Sequence, residues 1–302
     1  MINKNHNLND FSGEALESYI KAGKIAKSAI EYGKSIIKEN TSVFETVTKI
    51  ENYILDLGGN LAFPVNVSAN DEAAHYTPSY NDSRLFKRGD LIKLDLGAHI
   101  NGYIADTAVT VEVGSNNNEF LINASKKALE NVVKEIHVGM ELAEIGSLIE
   151  DTIKFYEYNP IYNLTGHELS KFKLHSGKTV PNYNNKDHTK LEVGMAIAIE
   201  PFATNGVGLI KEHNYGGIAI LTEPPKKDLM GYYDLLYQRF NMLPFAERWL
   251  NNIENHNIII DWLIKNRNMY KFPILKEKKR GLVTQAEHTF LVTANGIVVT
   301  TI

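Results

Sequence analysis

The sequence predicts an α+β fold for its 302 residues. Three observations support this prediction. Helical periodicity occurs in pairs of segments, strand-like segments occur in groups, and Asn-Gly dipeptides lie where hairpin turns are expected. Helices and strands are therefore grouped along the chain, whereas a parallel sheet would make them alternate strictly.

A pair of helices opens the chain. Residues 12–38 carry apolar side chains at helical spacing. A second helix is predicted from Ser42, which forms a capping-box pattern with Glu45, to the stop signal Gly58-Gly59. Both helices lead into the first strands.

Residues 91–113, LIKLDLGAHINGYIADTAVTVEV, form a predicted β-hairpin with two aspartates inside apolar strands. Asn101-Gly102 is the dipeptide most typical of a two-residue hairpin turn. With that turn, Asp95 and Asp106 become diagonal neighbours on one face of the hairpin. Two close carboxylates either keep one proton between them or bind a cation, so we expect a metal site.

The remaining elements follow the same grouping. Helices are predicted at about 118–137 and 141–158, followed by strands and loops from 160 to 221. Strands return at 282–301, where Asn295-Gly296 marks another hairpin turn. Between them, residues 222–280 contain 11 basic and 7 acidic residues, a net charge of +4, and we interpret them as a small insertion with a helical and aromatic middle.

Composition excludes several classes of function. The chain has no cysteine, which excludes disulfides, thiolate metal sites and a cysteine nucleophile. Its net charge of −4 gives no general affinity for nucleic acid, so we expect no DNA partner. The N-terminus has no apolar signal region and no apolar run reaches the length of a membrane span, so we expect a cytoplasmic protein without a membrane partner.

Three more ionisable residues stand where structure alone would not require them. His167 lies in TGHEL, Glu200 ends the strand-like AIAIEPF, and Glu287 lies in VTQAEHTFLVT. With the two aspartates they make an oxygen-rich set that suits Mn, Fe, Co or Zn. A pair of such ions could activate a water molecule for hydrolysis. Taken singly, each acidic residue could equally be an edge residue or a salt-bridge partner, and His75, His167 and His175 could be structural or simple loop histidines.

The order Asp, Asp, His, Glu, Glu in the contexts KLDLGAHINGYIADTA, GHELSKFKLHSGKTVP, AIEPFAT and QAEHTFLVT resembles the methionine aminopeptidases of type II, the archaeal and eukaryotic kind. The stretch LAFPVNVSANDEAAHYTP is also similar to that family. The resemblance implies the pita-bread fold. It implies a catalytic domain at 1–221 and 281–302, interrupted at 222–280 by an inserted helical, winged-helix-like subdomain.

The resemblance also implies a ligand set for two divalent metal ions, which could be Co, Mn, Fe or Zn. Asp95 would bind one ion, Asp106 and Glu287 would bridge the two, and His167 and Glu200 would complete the other site.

The same resemblance implies the chemistry and the substrate contacts. The activity would be removal of the N-terminal methionine from peptides and nascent chains, with a small second residue preferred. Glu200 would transfer the proton, His75 would contact the scissile amide, and His175 would lie near the tetrahedral oxygen. Phe63 and Leu174 would form walls of the methionine pocket.

Two other functions stay open at the level of sequence. An Xaa-Pro aminopeptidase shares the fold but usually carries an additional N-terminal domain, for which about 90 residues before the first candidate ligand leave no room. A non-catalytic relative that binds RNA or ribosomes is expected to have lost metal ligands, whereas all five are present. The basic run KEKKR makes transient ribosome contact a further hypothesis, and a monomer is expected.

Overall fold

The computed structural model describes residues 10–225 and 231–302. Helices and strands both occur in groups, so the predicted α+β class is confirmed. The described helices are α1 (Gly13–Ile36), α2 (Val43–Asp56), α3 (Glu119–Glu135), α4 (Leu142–Phe155), α5 (Tyr232–Phe240) and α6 (His256–Lys265). The described strands are β1 (Asn60–Leu61), β2 (Asn66–Ala69), β3 (Glu72–Ala74), β4 (Leu91–Ile100), β5 (Tyr103–Glu112), β6 (Asn159–Pro160), β7 (Thr165–Leu169), β8 (Thr179–Pro181), β9 (Ala196–Ile199), β10 (Phe202–Thr204), β11 (Ile210–Leu221), β12 (Phe245–Ala246), β13 (Met269–Glu277), β14 (Val283–Gln285), β15 (His288–Thr293) and β16 (Gly296–Val299).

The first two helices begin where the sequence predicts. The Ser12 hydroxyl accepts a hydrogen bond from the Ala15 N–H, and the Ser42 hydroxyl accepts one from the Glu45 N–H at 3.3 Å. Each bond satisfies one of the free N–H groups of a helix start. Gly58 follows the end of α2 with a φ of +78°, a conformation that favours glycine.

The predicted hairpin and its register are confirmed. β4 and β5 pair antiparallel with Gly97 opposite Asp106. Asn101 and Gly102 have φ angles of +52° and +86°, as a turn with two left-handed residues requires. The two aspartates therefore lie on one face, as the turn assignment predicts.

The strands of the described residues form four sheets. The β4–β5 hairpin belongs to one sheet, against which α1 and α2 pack their apolar faces. α3 and α4 pack in a second core beneath the five-stranded sheet β16-β15-β9-β7-β8. An isolated antiparallel bridge between Ala108 and Glu287 joins β5 to the start of β15. The two halves of the molecule thus meet along β5, with candidate ligands on both sides.

The predicted insertion at 222–280 contains helices and strands. α5, α6 and a short 3-10 helix (Glu247–Leu250) pack around a small apolar and aromatic core that they share with the end of β11. β13 pairs with β11 and with β3, so the end of the segment is hydrogen-bonded into a sheet shared with the rest of the chain. Residues 1–9 of the predicted catalytic domain and 226–230 of the insertion lie outside the described residues, and the division into two domains stays a prediction.

None of the helices in the described ranges is both long enough and apolar enough to cross a membrane.

Candidate metal centre and its pocket

Asp106 is fixed by hydrogen bonds between β5 and β15. Its backbone N–H donates to the Thr289 hydroxyl at 2.7 Å, and that hydroxyl donates to the Asp106 carbonyl at 2.8 Å. The Thr107 hydroxyl donates to the Glu287 carbonyl at 2.9 Å. Asp106 and Glu287 therefore hold a fixed mutual position although they are far apart in the sequence.

His167 and Glu200 reach the same point from β7 and from the end of β9. Nε2 of His167 lies 3.6 Å from an Asp106 carboxylate oxygen and 3.7 Å from a Glu200 carboxylate oxygen. Gly166 permits this approach, because a Cβ there would lie 2.2 Å from the Ala198 carbonyl oxygen on β9. Ligand atoms of Asp106, His167 and Glu287 all lie within 4.8 Å of one another, which is compatible with one shared cation.

A cavity of about 70 Å³ brings together every residue singled out from the sequence. Its lining includes the five candidate ligands Asp95, Asp106, His167, Glu200 and Glu287, the two histidines His75 and His175, and the apolar residues Phe63 and Leu174. The sequence separates these residues by more than two hundred positions. Their convergence is a property of the fold.

Burial makes the four carboxyl groups hard to ionise together. It raises the pKa of Asp95 from its ordinary 3.8 to about 7. Burial, followed by the nearby Asp95 charge, raises the pKa of Asp106 well above its usual range, and burial and neighbouring carboxylates do the same for Glu200 and Glu287. Burial also lowers the pKa of His167, so the imidazole is neutral and its nitrogen free to bind a cation. The cluster therefore has the electrostatics of a site built for positive charge.

Several buried polar atoms of the cluster have no hydrogen-bond partner among the described residues. They are Oδ1 of Asp95, Oδ1 of Asp106, Nδ1 of His167 and Oε1 of Glu287. Buried polar atoms are nearly always satisfied, so such a group in one place calls for an explanation. Carboxylate oxygens and an imidazole nitrogen are ligands that fit divalent metal ions. Such ions would neutralise the negative charge and bind the unpartnered atoms.

Aromatic and imidazole rings form one side of the cavity. His75 has a left-handed φ of +67°, and its imidazole meets the Phe272 ring edge to face at 5.2 Å between centroids. Burial lowers its pKa to about 4, so it is neutral at physiological pH. The ring centroids of His175 and His167 are 4.2 Å apart, and both histidines also line a second cavity of about 260 Å³ that shares lining residues with the first.

The structure adds residues that sequence reasoning did not single out. The side-chain amide of Gln285 donates to Asp95 at 3.3 Å and to Glu200 at 3.2 Å, and so links two candidate ligands. Asn66 lies opposite Asp95 in the β2–β4 pair and lines the cavity. Ile218, Pro244 and Phe272 complete the apolar wall. Neutral amides and apolar residues do not stand out in a sequence as a charged residue inside an apolar strand does. The one available signal was the position of Gln285, two residues before Glu287 in the QAEHT motif.

Comparison with known proteins shows the family of this chain. The model of metallopeptidase family M24 matches residues 17–294. A methionine aminopeptidase of Methanocaldococcus jannaschii is 43% identical over 291 residues, which cover 95% of this chain and 99% of the relative. This chain belongs to the methionine aminopeptidases of metallopeptidase family M24. The predicted resemblance to type II, archaeal enzymes and the prediction of a hydrolytic enzyme are both confirmed.

Solved structures agree on the fold. A thermophilic Arx1 has a TM-score of 0.83 at 18% identity, with 96% of this chain and 91% of that chain covered. A methionine aminopeptidase from Thermotoga maritima has a TM-score of 0.71 at 22% identity, with 96% and 98% covered. The chain has the pita-bread fold of this family, as predicted. Membership of a metallopeptidase family also implies divalent metal ions.

Proposed function

We propose that this enzyme removes the N-terminal methionine of peptides and nascent proteins with a pair of divalent metal ions held in the 70 Å³ cavity. The observation that carries the proposal is the convergence of four carboxyl groups and one imidazole with unpartnered buried atoms. No cation from lysine or arginine lines this cavity within the described residues.

Five side chains hold the metal ions in this proposal. Asp106 and Glu287, whose mutual position is fixed by hydrogen bonds between β5 and the start of β15, would hold the ions together with Asp95, His167 and Glu200. The ions are Co, Mn, Fe or Zn, all of which accept oxygen and imidazole ligands. When bound, they would supply a water molecule of lowered pKa and an electrophile for the substrate carbonyl.

Three side chains act on the substrate. Glu200 accepts a proton from the attacking water and returns it to the departing amine. Neutral His75 donates a hydrogen bond to the scissile amide, which fits its low pKa. His175 donates to the carbonyl oxygen as negative charge develops there.

Specificity for methionine comes from the apolar wall of the cavity. Phe63 and Leu174, with Ile218 and Pro244, surround the methionine side chain. An apolar pocket of this kind discriminates by about 1–3 kcal/mol per methylene. In this proposal a small second residue is preferred, as the resemblance to the family implies.

The cellular setting of the proposal is the cytoplasm, where nascent chains are made. Lys278, Lys279 and Arg280 are the exposed basic residues of the KEKKR run, whereas Lys276 is half-buried and paired with Glu72 and Glu277 is buried. Transient contact of these three residues with ribosomal phosphates is the corresponding proposal. A change in salt dependence of ribosome co-sedimentation after their replacement by serine tests it.

The test of the function is release of free methionine from Met-Gly-Ser and Met-Leu-Ser, and of free alanine from an Ala-Pro peptide, by metal-depleted protein before and after addition of Mn, Fe, Co or Zn. Metal-dependent release from Met-Gly-Ser, weaker release from Met-Leu-Ser and little action on Ala-Pro are expected. Preferential cleavage of Ala-Pro would assign an Xaa-Pro aminopeptidase instead. If no amino acid is released from any of the three peptides with any of the metals, the catalytic proposal is wrong.

A further inference from the structure

A buried ion pair joins the predicted insertion to the N-terminal half of the chain. The Arg248 guanidinium contacts the Glu51 carboxylate, and the side chains are only 4% and 8% exposed. Nε1 of Trp249 donates to the same carboxylate at 3.0 Å. Glu51 lies on α2, and the other two residues lie on the 3-10 helix Glu247–Leu250. Neither member of the pair lines the cavity with the candidate ligands.

The ion pair is connected to three parts of the cavity wall, at Phe63, His75 and Pro244. The first two connections are hydrogen bonds and the third runs along the chain. The Glu51 carboxylate accepts from the Val65 N–H at 3.3 Å, two residues after Phe63. Arg248 donates to the Thr77 hydroxyl at 2.8 Å, and Thr77 lies two residues after His75. Arg248 itself lies four residues after Pro244, which together with Phe272 is what the predicted insertion contributes to the cavity lining.

The three walls are also tied to one another. The Thr77 hydroxyl donates to the Val65 carbonyl at 2.8 Å, which joins the segment of His75 to that of Phe63. Arg248 donates a further bond to the Pro78 carbonyl at 3.0 Å. The ion pair is therefore the centre of a buried network, and moving one member shifts the supports of all three walls.

His75 needs such support. A left-handed φ in a residue other than glycine costs on the order of 1 kcal/mol or more unless the surroundings fix it. On one side, Gly216 of β11 packs so closely that a Cβ there would lie 1.7 Å from the His75 carbonyl oxygen. On the other side, Arg248 holds Thr77 and Pro78. The backbone around His75 is thus held between β11 and the ion pair, and its imidazole packs against Phe272 of β13.

We infer that Glu51 and Arg248 are positioning residues for substrate selection: through Val65, Thr77 and the 3-10 helix they set the distance between Phe63, His75 and Pro244. This inference rests on the proposed function. The simpler alternative is that the pair only attaches the insertion to the body. Buried ion pairs contribute little net stability compared with apolar side chains of similar volume, so attachment alone does not require one.

The test compares selectivity with stability. Arg248→Lys keeps the charge, but one ammonium group cannot reach Glu51, Thr77 and Pro78 together. Glu51→Gln keeps the acceptor for Val65 and removes the charge. For each variant and the double variant, kcat/KM is measured on Met-Gly-Ser and Leu-Gly-Ser with the same metal, together with metal content and the unfolding midpoint.

The inference predicts unchanged metal content and a ratio of methionine to leucine peptide cleavage that falls about tenfold in Arg248→Lys and less in Glu51→Gln. The double variant should be no worse than the poorer single variant, because both act through one network. Affinity for free methionine relative to free leucine, measured by calorimetry, should change in the same sense without any turnover.

The matched control is Glu277→Gln. Glu277 is a fully buried carboxylate that accepts three backbone N–H bonds, from Val207, Lys279 and Gly281, and it lines neither cavity at the site. It should lose stability and keep wild-type selectivity. Variants of the ion pair that lose stability but keep the wild-type ratio would overturn the inference, as would an equal loss of selectivity in the control. Absence of methionine release by the wild-type protein would instead count against the proposed function.

Discussion

Replacing Asp95 by asparagine should raise the free energy of unfolding of the metal-free protein at alkaline pH. In the presence of metal, the same replacement should lower it. Burial raises the pKa of Asp95 from 3.8 to about 7. A tenfold change in proton affinity corresponds to about 1.4 kcal/mol, so the ionised carboxylate costs the folded protein about 4 kcal/mol. Asparagine has a similar shape and can still accept a hydrogen bond from Gln285, but it carries no charge.

The direction of this pH effect on stability follows from the linkage between protonation and folding. Because the pKa of Asp95 is raised on folding, its contribution to stability is fully present below about pH 4 and is lost as the pH rises through about 7. The free energy of unfolding of Asp95→Asn relative to wild type should therefore increase by about 4 kcal/mol between pH 4 and pH 8 in chelator-treated protein.

Urea unfolding of wild type and of Asp95→Asn between pH 4 and pH 8 measures the difference in their free energies of unfolding. Asp151→Asn is the control, because Asp151 is exposed on α4 and should follow the wild-type pH dependence. Addition of Mn or Co at pH 8 should reverse the order, since wild type keeps a ligand that the variant lacks. A difference between Asp95→Asn and wild type that stays constant from pH 4 to pH 8 would refute the electrostatic account of the cluster.

Three further predictions concern the site. Asp106→Asn should abolish metal-dependent methionine release while circular dichroism shows an intact fold; retained turnover would remove Asp106 from the ligand set. His75→Ala should lower kcat about 100-fold or more, as expected for a lost catalytic hydrogen bond, with unchanged metal content by mass spectrometry. Loss of metal instead would make His75 a ligand. Gly97→Ala should raise KM for methionine peptides about tenfold and lower stability by about 1–3 kcal/mol, because the new Cβ would lie 2.4 Å from the Phe63 ring; unchanged kinetics would remove Phe63 from the methionine pocket.

Local features of the fold could be predicted from the sequence because short-range rules determine them. Asn101-Gly102 determines both the turn and the register of the hairpin, and so the common face of Asp95 and Asp106. Ser42 marks the start of α2 through one hydrogen bond to a backbone N–H. Such features depend on residues a few positions apart, which a sequence displays directly.

The remaining features depend on contacts between distant segments. The bridge between Ala108 and Glu287 and the link from Gln285 to Asp95 join residues more than 170 positions apart. No periodicity or turn signal specifies such pairs. The five candidate ligands stand out from their sequence contexts, and resemblance to a family implies their roles, whereas Glu51 and Arg248 are recognisable only in the fold that brings them together.

The central claim is that the carboxylate cluster binds metal and that bound metal makes the protein a methionine-releasing enzyme. The most direct measurement follows metal content and methionine release in the same samples, as metal is added stepwise to chelator-treated wild-type protein and to Glu287→Gln. The account predicts that release from Met-Gly-Ser rises with bound metal in wild type, and that Glu287→Gln loses both. Methionine release by metal-free protein, or wild-type metal binding and turnover in Glu287→Gln, would contradict it.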